Sequence, residues 1–366
     1  HREFRDYDRA DYDGMRQTLS RDWSSDLDSF DSTQQKWNFF IDRYNEALDE
    51  YIPIVHRSPN LRNHRQPLQK KFLKQIKKKI NRKNHLWKKL TQAPNSQVAA
   101  EYRKVRNQVR RLTRKAEKEK EKEIVEKIKT NPKKFWLFAK KKTKRITAVP
   151  DLITEDGTTL TKNEKEKTEV LATYFASVFT DEDDHPDQQE PYTSERTNTI
   201  NITEEAVKMK LKELKTHKSP GPDSIHPRVL RELFDTLCTP IFLIIQHSFI
   251  TGTLPTEWKL ANIFPIFKKG NKSLPSNYRP VSLTSIISKI AEHFVRASIM
   301  NHMQLNKLFS DRQFGFLPGR STILQLLTVL DKWTETIDRG ECTDVIYCDF
   351  QKAFDKVPHR RLLLES

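Results

Sequence analysis

The side chain best placed to do chemistry in this chain is an aspartate that follows an apolar run near the C-terminus. Residues 344–349 are rich in β-branched and aromatic side chains, which predicts a strand ending on Asp349, with a turn and a helix after it. A carboxylate at the end of a strand can hold a divalent cation against a phosphate, because Mg²⁺ prefers oxygen ligands. We interpret Asp349 as the candidate metal ligand, and Asp344, at the start of the run, as a surface acid.

Two clusters upstream carry the cations that a phosphate site needs. Residues 258–270 are strand-like, and Pro265 places this strand at the edge of a sheet or at a bulge. Arg279 precedes a proline, which holds it on an extended backbone. Across a hairpin from Lys268 or Lys269, the Arg279 guanidinium could bind a triphosphate through bidentate contacts. The sequence leaves open which of the two lysines takes part.

Two further clusters carry little chemical information when each is taken alone. Residues 218–223 predict a rigid Pro- and Gly-containing turn that opens into an amphipathic helix, which is typical of a loop and of nothing more specific. Residues 313–322 are rich in turn formers and precede an apolar helix.

The positive charge of the chain is concentrated in one segment. The formal net charge is +17 over 366 residues, and residues 61–145 alone contain 31 Lys and Arg against six Glu and no Asp. A polyanion is the natural partner of such a segment, with nucleic acid ahead of an anionic membrane surface. A solvated helical face is the alternative interpretation, and the density of charge favours nucleic acid.

Composition also narrows the class of protein. The length suits two or three domains. The three cysteines, Cys238, Cys342 and Cys348, have neither the spacing of a disulfide framework nor that of a zinc site, which predicts a reducing intracellular compartment. No apolar run approaches the roughly 20 residues that a membrane span needs, so no membrane partner is expected.

Helical periodicity dominates the first half of the chain. We expect a helix from Asp31, a second from Pro67 with apolar residues four apart, and a third over residues 98–116 with heptad spacing. The second and third helices can form an antiparallel hairpin with a narrow apolar seam and a basic exterior. A further helix is expected over residues 165–179.

The aromatic residues Phe135, Trp136 and Phe138 lie among several lysines. Aromatic rings interleaved with cations can stack on bases while the cations bind phosphates. The same rings could instead anchor a helix in a core, and the sequence does not decide between these interpretations.

In this order and at these intervals, the C-terminal clusters resemble the reverse transcriptase of non-LTR retrotransposons, of the LINE or jockey-like kind. The resemblance extends from about residue 202 to the C-terminus, and residues 31–180 resemble, more weakly, the basic helical region between endonuclease and polymerase in such proteins. It implies an α-rich α/β fold, with a helical basic N-terminal region before the fingers and a partial palm of a right-hand polymerase. The implied activity is RNA-directed DNA synthesis by two-metal nucleotidyl transfer.

The resemblance also assigns roles to individual residues. It makes Asp349 the first catalytic aspartate, which binds Mg²⁺ together with the backbone carbonyl of Phe350. Phe354 lies under the sugar and selects deoxynucleotides, and Arg279 contacts the triphosphate, with Lys268 or Lys269 beside it. The residues expected to line the template or nucleotide pocket are Gln313, Gly315, Phe316 and Arg320.

The expected organisation follows from these assignments. Residues 1–30 form a polar, poorly ordered segment, residues 31–180 the basic helical region, residues 181–197 an acidic linker, and residues 198–366 the fingers and partial palm. The implied partners are an RNA template, a DNA primer or target, and deoxynucleoside triphosphates. The family implies the nucleus and cytoplasm as the location, and the sequence does not indicate an oligomeric state.

The chain departs from the family in its carboxylates. The family places a Tyr-x-Asp-Asp turn well beyond the first aspartate, and no such turn occurs in these 366 residues. Since one carboxylate holds two Mg²⁺ ions poorly, we expect this chain alone to be inactive, as a fragment of a longer product, a truncated gene model or a decayed copy. The alternatives to a polymerase fragment are a nucleic-acid-binding module without catalysis and a maturase-like RNA-binding protein.

Overall fold

The structure, a computed structural model, describes residues 2–57, 70–126, 128, 135–136, 138–139, 149–154, 156–181 and 200–365. It divides into two compact units, of which the first contains His1–Ala10 and Ile52–Ala148 and the second contains Asp11–Tyr51 and Val149–Ser366. Helices predominate, and the described residues form two two-stranded sheets. The predicted α-rich α/β class and the low strand content are therefore confirmed.

The first unit combines a small sheet with a helical hairpin. Strand β1 (Arg2–Arg5) pairs antiparallel with β2 (Ile54–Arg57). Helix α4 (Lys70–Gln92) is followed, after a short turn, by α5 (Ser96–Glu126), whose first turn is capped by the Asn95 carboxamide. The helices of the second unit that precede these in the chain are numbered α1 to α3.

The hairpin of α4 and α5 is antiparallel, as its apolar spacing predicts. Ile76 and Ala116 are buried together, with Ile80 and Leu112 packed against them. Further along the seam the Lys79 ammonium donates a hydrogen bond to the Gln108 carboxamide over 2.7 Å. Ala116 is the last buried residue of the seam, after which Glu and Lys alternate along α5.

The second unit consists mainly of helices around one further hairpin of strands. Its N-terminal helices are α1 (Tyr12–Leu19), α2 (Trp23–Asp28) and α3 (Thr33–Tyr51). After the first unit come α6 (Glu164–Ala176), α7 (Glu204–Lys212), α8 (Pro227–Glu232) and α9 (Phe234–Thr251). The strands β3 (Ala261–Phe267) and β4 (Tyr278–Thr284) precede α10 (Ile286–Leu305), α11 (Thr322–Asp338) and α12 (His359–Glu365).

The N-terminal segment differs from the expectation of poor order. Residues 2–28 contain β1, α1 and α2, and Met15, Leu19, Trp23 and Leu27 are almost fully buried at intervals of four. The aspartates that make the segment polar cap these helices, since the side chains of Asp11 and Asp22 accept backbone hydrogen bonds at the two N-termini. Short, well-capped helices that bury one residue per turn are difficult to detect from periodicity.

Helix α9 is the central apolar helix of the second unit. It packs against α2, α3 and α7, and Leu237, Ile241, Ile244 and Ile245 are buried on it. By length and composition alone it could cross a membrane. Its burial against neighbouring helices accounts for its apolar character without a bilayer.

The two compact units divide the chain differently from the predicted segments. Helix α3 and helix α6, both expected in the basic helical region, lie in the second unit. The predicted acidic linker lies outside the described residues, apart from Asp181, and so do the lysines around Phe135, Trp136 and Phe138. The functional division into basic region and fingers stays a prediction.

The turn at residues 218–223 packs tightly against the end of the β3–β4 hairpin. A Cβ atom on Gly221 would lie 2.6 Å from the carbonyl oxygen of Thr284 and from the amide nitrogen of Ser285. Ser285 is the N-cap of α10, and it also donates a hydrogen bond to the Asp223 carboxylate. Burial raises the pKa of Asp223, and this hydrogen bond opposes the shift. The turn thus has a packing role that its sequence does not reveal.

We predict that Gly221→Ala lowers the free energy of unfolding by about 1–3 kcal/mol, because the added methyl group meets backbone atoms that cannot rotate away. Chemical denaturation monitored by circular dichroism measures the change. Gly315→Ala is the matched control, since a Cβ there meets no atom within 4 Å, and its effect is expected to stay within about 0.5 kcal/mol. Equal effects at both positions would contradict the packing role.

Candidate functional site

The hairpin of β3 and β4 presents the predicted phosphate-binding residues. Its antiparallel register pairs Ile266 with Arg279, Pro265 with Pro280 and Phe267 with Tyr278. The Lys268 amide donates to the Asn277 carbonyl over 2.8 Å, which makes this a hydrogen-bonded pair and makes Pro265 and Pro280 a non-hydrogen-bonded one. Neither proline therefore interrupts the ladder, as the predicted edge position of Pro265 requires.

Alternation along the strands separates the two lysines. Arg279 lies opposite Ile266, and Lys268 is the first residue after β3. Its hydrogen bond to Asn277 continues the ladder, so alternation places Lys268 on the same face as Arg279. Lys269 follows in the bend between the two strands, beyond the ladder. All three cations are exposed, and Phe264 and Ile266 on the Arg279 face are 58% and 48% exposed. The face that carries Arg279 and Lys268 is thus open to solvent.

The opposite face of the hairpin packs onto α6. Tyr278 is buried with Leu152 and with Leu171 of α6, and Phe267 and Phe175 pack against this cluster. The rings of Phe267 and Tyr278 are 5.7 Å apart, edge to face. Burial raises the pKa of Tyr278, whose hydroxyl donates to the Lys272 carbonyl over 2.7 Å. These contacts fix which face of the hairpin is exposed.

The loop that contains the predicted pocket-lining residues is held together by one arginine. The Arg320 guanidinium donates hydrogen bonds to the carbonyl oxygens of Ser310, Asp311 and Gln313, over 3.0, 2.8 and 2.6 Å. It also lies 5.7 Å from the centroid of the Phe314 ring. The structure thus engages Arg320 within its own loop, while Gln313 and Gly315 are exposed and joined by a 3.3 Å hydrogen bond.

The strand predicted over residues 344–349 is not formed. Residues 341–350 have no regular secondary structure, and Ile346 and Tyr347 are 87% and 86% exposed. An extended segment becomes a strand only where a partner satisfies its backbone groups, and no described segment pairs with this one. Asp349 is exposed at its end, as a carboxylate open to solvent.

The turn after Asp349 is attached to α6. Lys352 has a left-handed backbone conformation with φ of 52°, and its ammonium lies 4.3 Å from the centroid of the Tyr174 ring. The same ammonium donates to the Tyr174 hydroxyl over 2.6 Å. Further along, the Thr180 hydroxyl donates to the Lys356 carbonyl over 3.0 Å. Helix α6 and the residues after it therefore contact both the hairpin and this turn.

One contact joins two of the predicted site elements directly. The rings of Phe316 and Phe354 are 6.2 Å apart and perpendicular. Both side chains are more than 80% exposed, and Phe316 has a φ of 63°. The structure thus brings the predicted pocket loop and the predicted sugar-contacting residue together.

Tyr174 and Leu171 are the residues near the site that the sequence did not single out. Both lie on the apolar stripe of a helix, and the spacing of that stripe indicates a packing role for them. Their contacts with Lys352 and Tyr278 lie more than 100 residues away along the chain, and no local pattern reports such a pairing.

The described residues do not complete a metal site. Within the part of the chain that the structure describes, no group of three or more His, Cys, Asp or Glu side chains could hold a metal ion. Asp349 and the Phe350 carbonyl are the oxygen donors that the sequence predicts, and they lack the further carboxylates that two Mg²⁺ ions need.

Comparison with known proteins gives independent information on this region. Residues 266–365 match the family described as reverse transcriptase (RNA-dependent DNA polymerase). The matched segment begins within β3 and includes Lys268, Arg279, Asp349 and Phe354.

Several curated proteins of mobile elements are similar to the chain. It is 29% identical over 222 residues to a probable RNA-directed DNA polymerase from transposon BS of Drosophila melanogaster, which covers 57% of the chain and 24% of that protein. It is 28% identical over 214 residues to the RNA-directed DNA polymerase from mobile element jockey of Drosophila funebris, covering 56% and 23%. A probable polymerase from transposon X-element of Drosophila melanogaster is 32% identical over 150 residues, covering 41% and 16%.

The aligned regions span about a quarter or less of the length of these relatives. The predicted resemblance is confirmed by the domain match and by the mobile-element polymerases that share it. Residues 266–365 therefore match a reverse transcriptase domain, and the chain is similar over about half of its own length to RNA-directed DNA polymerases of mobile elements.

Proposed function

We propose that this chain supplies the nucleotide-binding fingers and the beginning of the palm of an RNA-directed DNA polymerase. In the whole protein this part would help to copy an RNA template onto a DNA primer from deoxynucleoside triphosphates. The observation that carries the proposal is the position of α6, which contacts both the hairpin of Arg279 and the turn after Asp349.

Arg279 and Lys268 are the proposed triphosphate ligands. They share the exposed face of the β3–β4 hairpin, and the buried Tyr278 holds that hairpin from the other side. A guanidinium and an ammonium on one face can bind adjacent phosphate oxygens, the first through two parallel hydrogen bonds and the second as a point charge. The register favours Lys268 over Lys269 as the companion of Arg279.

Asp349 and the Phe350 carbonyl are proposed to contribute oxygen ligands for Mg²⁺ in the whole protein. When bound, the metal would stabilise the charge that develops during phosphoryl transfer. The contribution of this chain is the carboxylate itself, which the structure leaves exposed, and the turn that follows it, which Lys352 attaches to Tyr174.

Phe354 is proposed to contact the sugar of the incoming nucleotide. Its ring meets Phe316 edge to face, and the exposed parts of the two rings form one apolar surface. A ring packed against the 2′ position leaves no partner for a 2′-hydroxyl, and a polar group without a partner is costly to desolvate. This geometry would favour deoxynucleotides.

A second function, binding nucleic acid without catalysis, is favoured by one specific observation. Among the described residues, Asp349 belongs to no group of three or more side chains that could hold a metal ion. The chain alone would then bind nucleotide and nucleic acid without joining them.

The two lysines give a direct test of the triphosphate site. Arg279→Gln and Lys268→Gln are each expected to weaken the binding of dATP by about tenfold or more, because each removes a hydrogen bond to a charged group. Lys269→Gln is the matched control, with an expected change below twofold to threefold. Equilibrium dialysis with radiolabelled dATP, primer–template and Mg²⁺ measures the affinities. An equal loss for Lys268→Gln and Lys269→Gln would refute the assigned geometry.

Sugar selection can be measured in the same binding assay. Phe354→Ala is expected to reduce the preference for dATP over ATP roughly tenfold, because the contact against the 2′ position is removed. Phe350→Ala is the control, since it retains the backbone carbonyl and its side chain is equally exposed. An unchanged ratio in Phe354→Ala would show that the ring does not sense the sugar.

Catalysis by the chain alone is a separate question. We predict that the purified 366-residue chain, with Mg²⁺, primer–template and all four deoxynucleotides, gives no extension product above a protein-free reaction. Denaturing gel electrophoresis of a labelled primer measures this. Extension by the unmodified chain that disappears in Asp349→Asn would disprove the prediction and leave the non-catalytic alternative without support.

A further inference from the structure

An aromatic pair lies near the turn of the α4–α5 hairpin in the first unit. The rings of Trp87 on α4 and Tyr102 on α5 have centroids 5.2 Å apart and planes inclined by 40°. Trp87 is 50% exposed, and Tyr102 is partly buried beside it. Half of a large apolar ring therefore faces solvent at a defined place on the helical surface.

The hairpin does not need Trp87 to fill its seam. The neighbouring Leu86 and, on the facing helix, Val105 are 6% exposed and occupy the interior at this level. Trp87 lies at the margin of that interior, with Tyr102 supporting one part of its ring. The exposed half of the ring therefore makes no hydrophobic contact within the hairpin and is free to contact a ligand.

The surface around the pair is almost purely cationic. Residues 70–116 contain 17 Lys and Arg and a single acid, Glu101, which is ion-paired with Arg82. Lys83 and Arg106 lie one helical turn from Trp87 and Tyr102, respectively. The Nε of Arg106 is buried without a hydrogen-bond partner within the described part of the chain. Negative charge on a ligand would meet these cations, and the one acid among them is already paired with Arg82.

We propose that Trp87 and Tyr102 form a stacking site for an unpaired base of single-stranded nucleic acid, with Lys83 on α4 and Arg106 on α5 as phosphate contacts one helical turn further from the loop of the hairpin. An aromatic face binds any base that is not already stacked, and a chain of cations follows its backbone. A duplex offers the cations its phosphates but has no free base for the ring. The site therefore discriminates between single and double strands.

This inference rests on the proposed function and adds to it a place where the template or primer strand is held. It lies in the first unit, while Arg279 and Lys268 lie in the second, so their variants report on different sites. A variant that loses dATP binding but keeps strand binding reports on the triphosphate site, and a variant that loses strand binding but keeps dATP binding reports on the stacking site. The failure of one proposal is therefore distinguishable from the failure of the other.

Fluorescence anisotropy with a labelled 12-nucleotide RNA, the same sequence as DNA, and the corresponding duplex tests the site on the full chain. Trp87→Leu is expected to weaken the binding of both single strands by roughly 5- to 150-fold, the range for removing one stacked base, and that of the duplex by less than twofold. Trp87→Phe is expected to recover most of the affinity. Comparison of RNA with DNA identifies the preferred strand.

Three further measurements exclude a merely structural effect. A 2-aminopurine oligonucleotide is expected to be quenched by the unmodified chain and not by Trp87→Leu. The slope of log affinity against log salt is expected to stay unchanged in Trp87→Leu and to fall by about 0.7 in Arg106→Gln, the value for one phosphate contact on a single strand. Circular dichroism of each variant verifies that the hairpin remains helical.

Phe179→Leu is the matched control, because Phe179 is a similarly exposed aromatic outside the hairpin. It is expected to change no affinity. Equal losses for single strand and duplex in Trp87→Leu, or no loss at all, would overturn the stacking site. So would a loss of binding to anionic phospholipid vesicles with oligonucleotide binding intact, since that result assigns the aromatic pair to a membrane surface.

Discussion

The packing of Leu171 and Tyr174 on α6 is the constraint on which the candidate nucleotide site depends. Leu171 is buried with Tyr278 of the β3–β4 hairpin, and one turn further Tyr174 holds Lys352 of the turn after Asp349. Residues i and i+3 of a helix lie at neighbouring positions on one face. The hairpin and the turn are therefore both packed against the same rigid helix. The contact between Phe316 and Phe354 joins the turn to the loop of residues 313–322, and it does not involve the hairpin.

The two opposed prolines also support the hairpin that carries the candidate nucleotide site. Pro265 and Pro280 face each other at a non-hydrogen-bonded pair, so the ladder remains complete while the outer edges of the strands offer fewer amide donors. A two-stranded ribbon is marginal alone, and this one is stabilised on one side by the buried Tyr278 ring and the partly buried Phe267 ring. Its other side stays free for Arg279 and Lys268.

The parts that the sequence predicts correctly are those whose information is local. Apolar spacing locates α4 and α5 and their antiparallel seam, and the clusters around Arg279 and Asp349 predict the match to a reverse transcriptase domain. Order in residues 2–28 is missed because the caps Asp11 and Asp22 resemble a disordered acidic composition. The strand before Asp349 is missed because propensity cannot show whether a partner strand is present. The link between Tyr174 and Lys352 spans 178 residues, a separation on which no local pattern bears.

Helix α11 behaves differently from every other long helix of the second unit, because none of its side chains is buried. Ile323, Leu327, Leu330 and Ile337 lie along one side of it and are each more than half exposed. An apolar stripe of this length in water promotes self-association. The chain should therefore be studied at low concentration. At higher concentration, self-association rather than ligand affinity would determine the measured response.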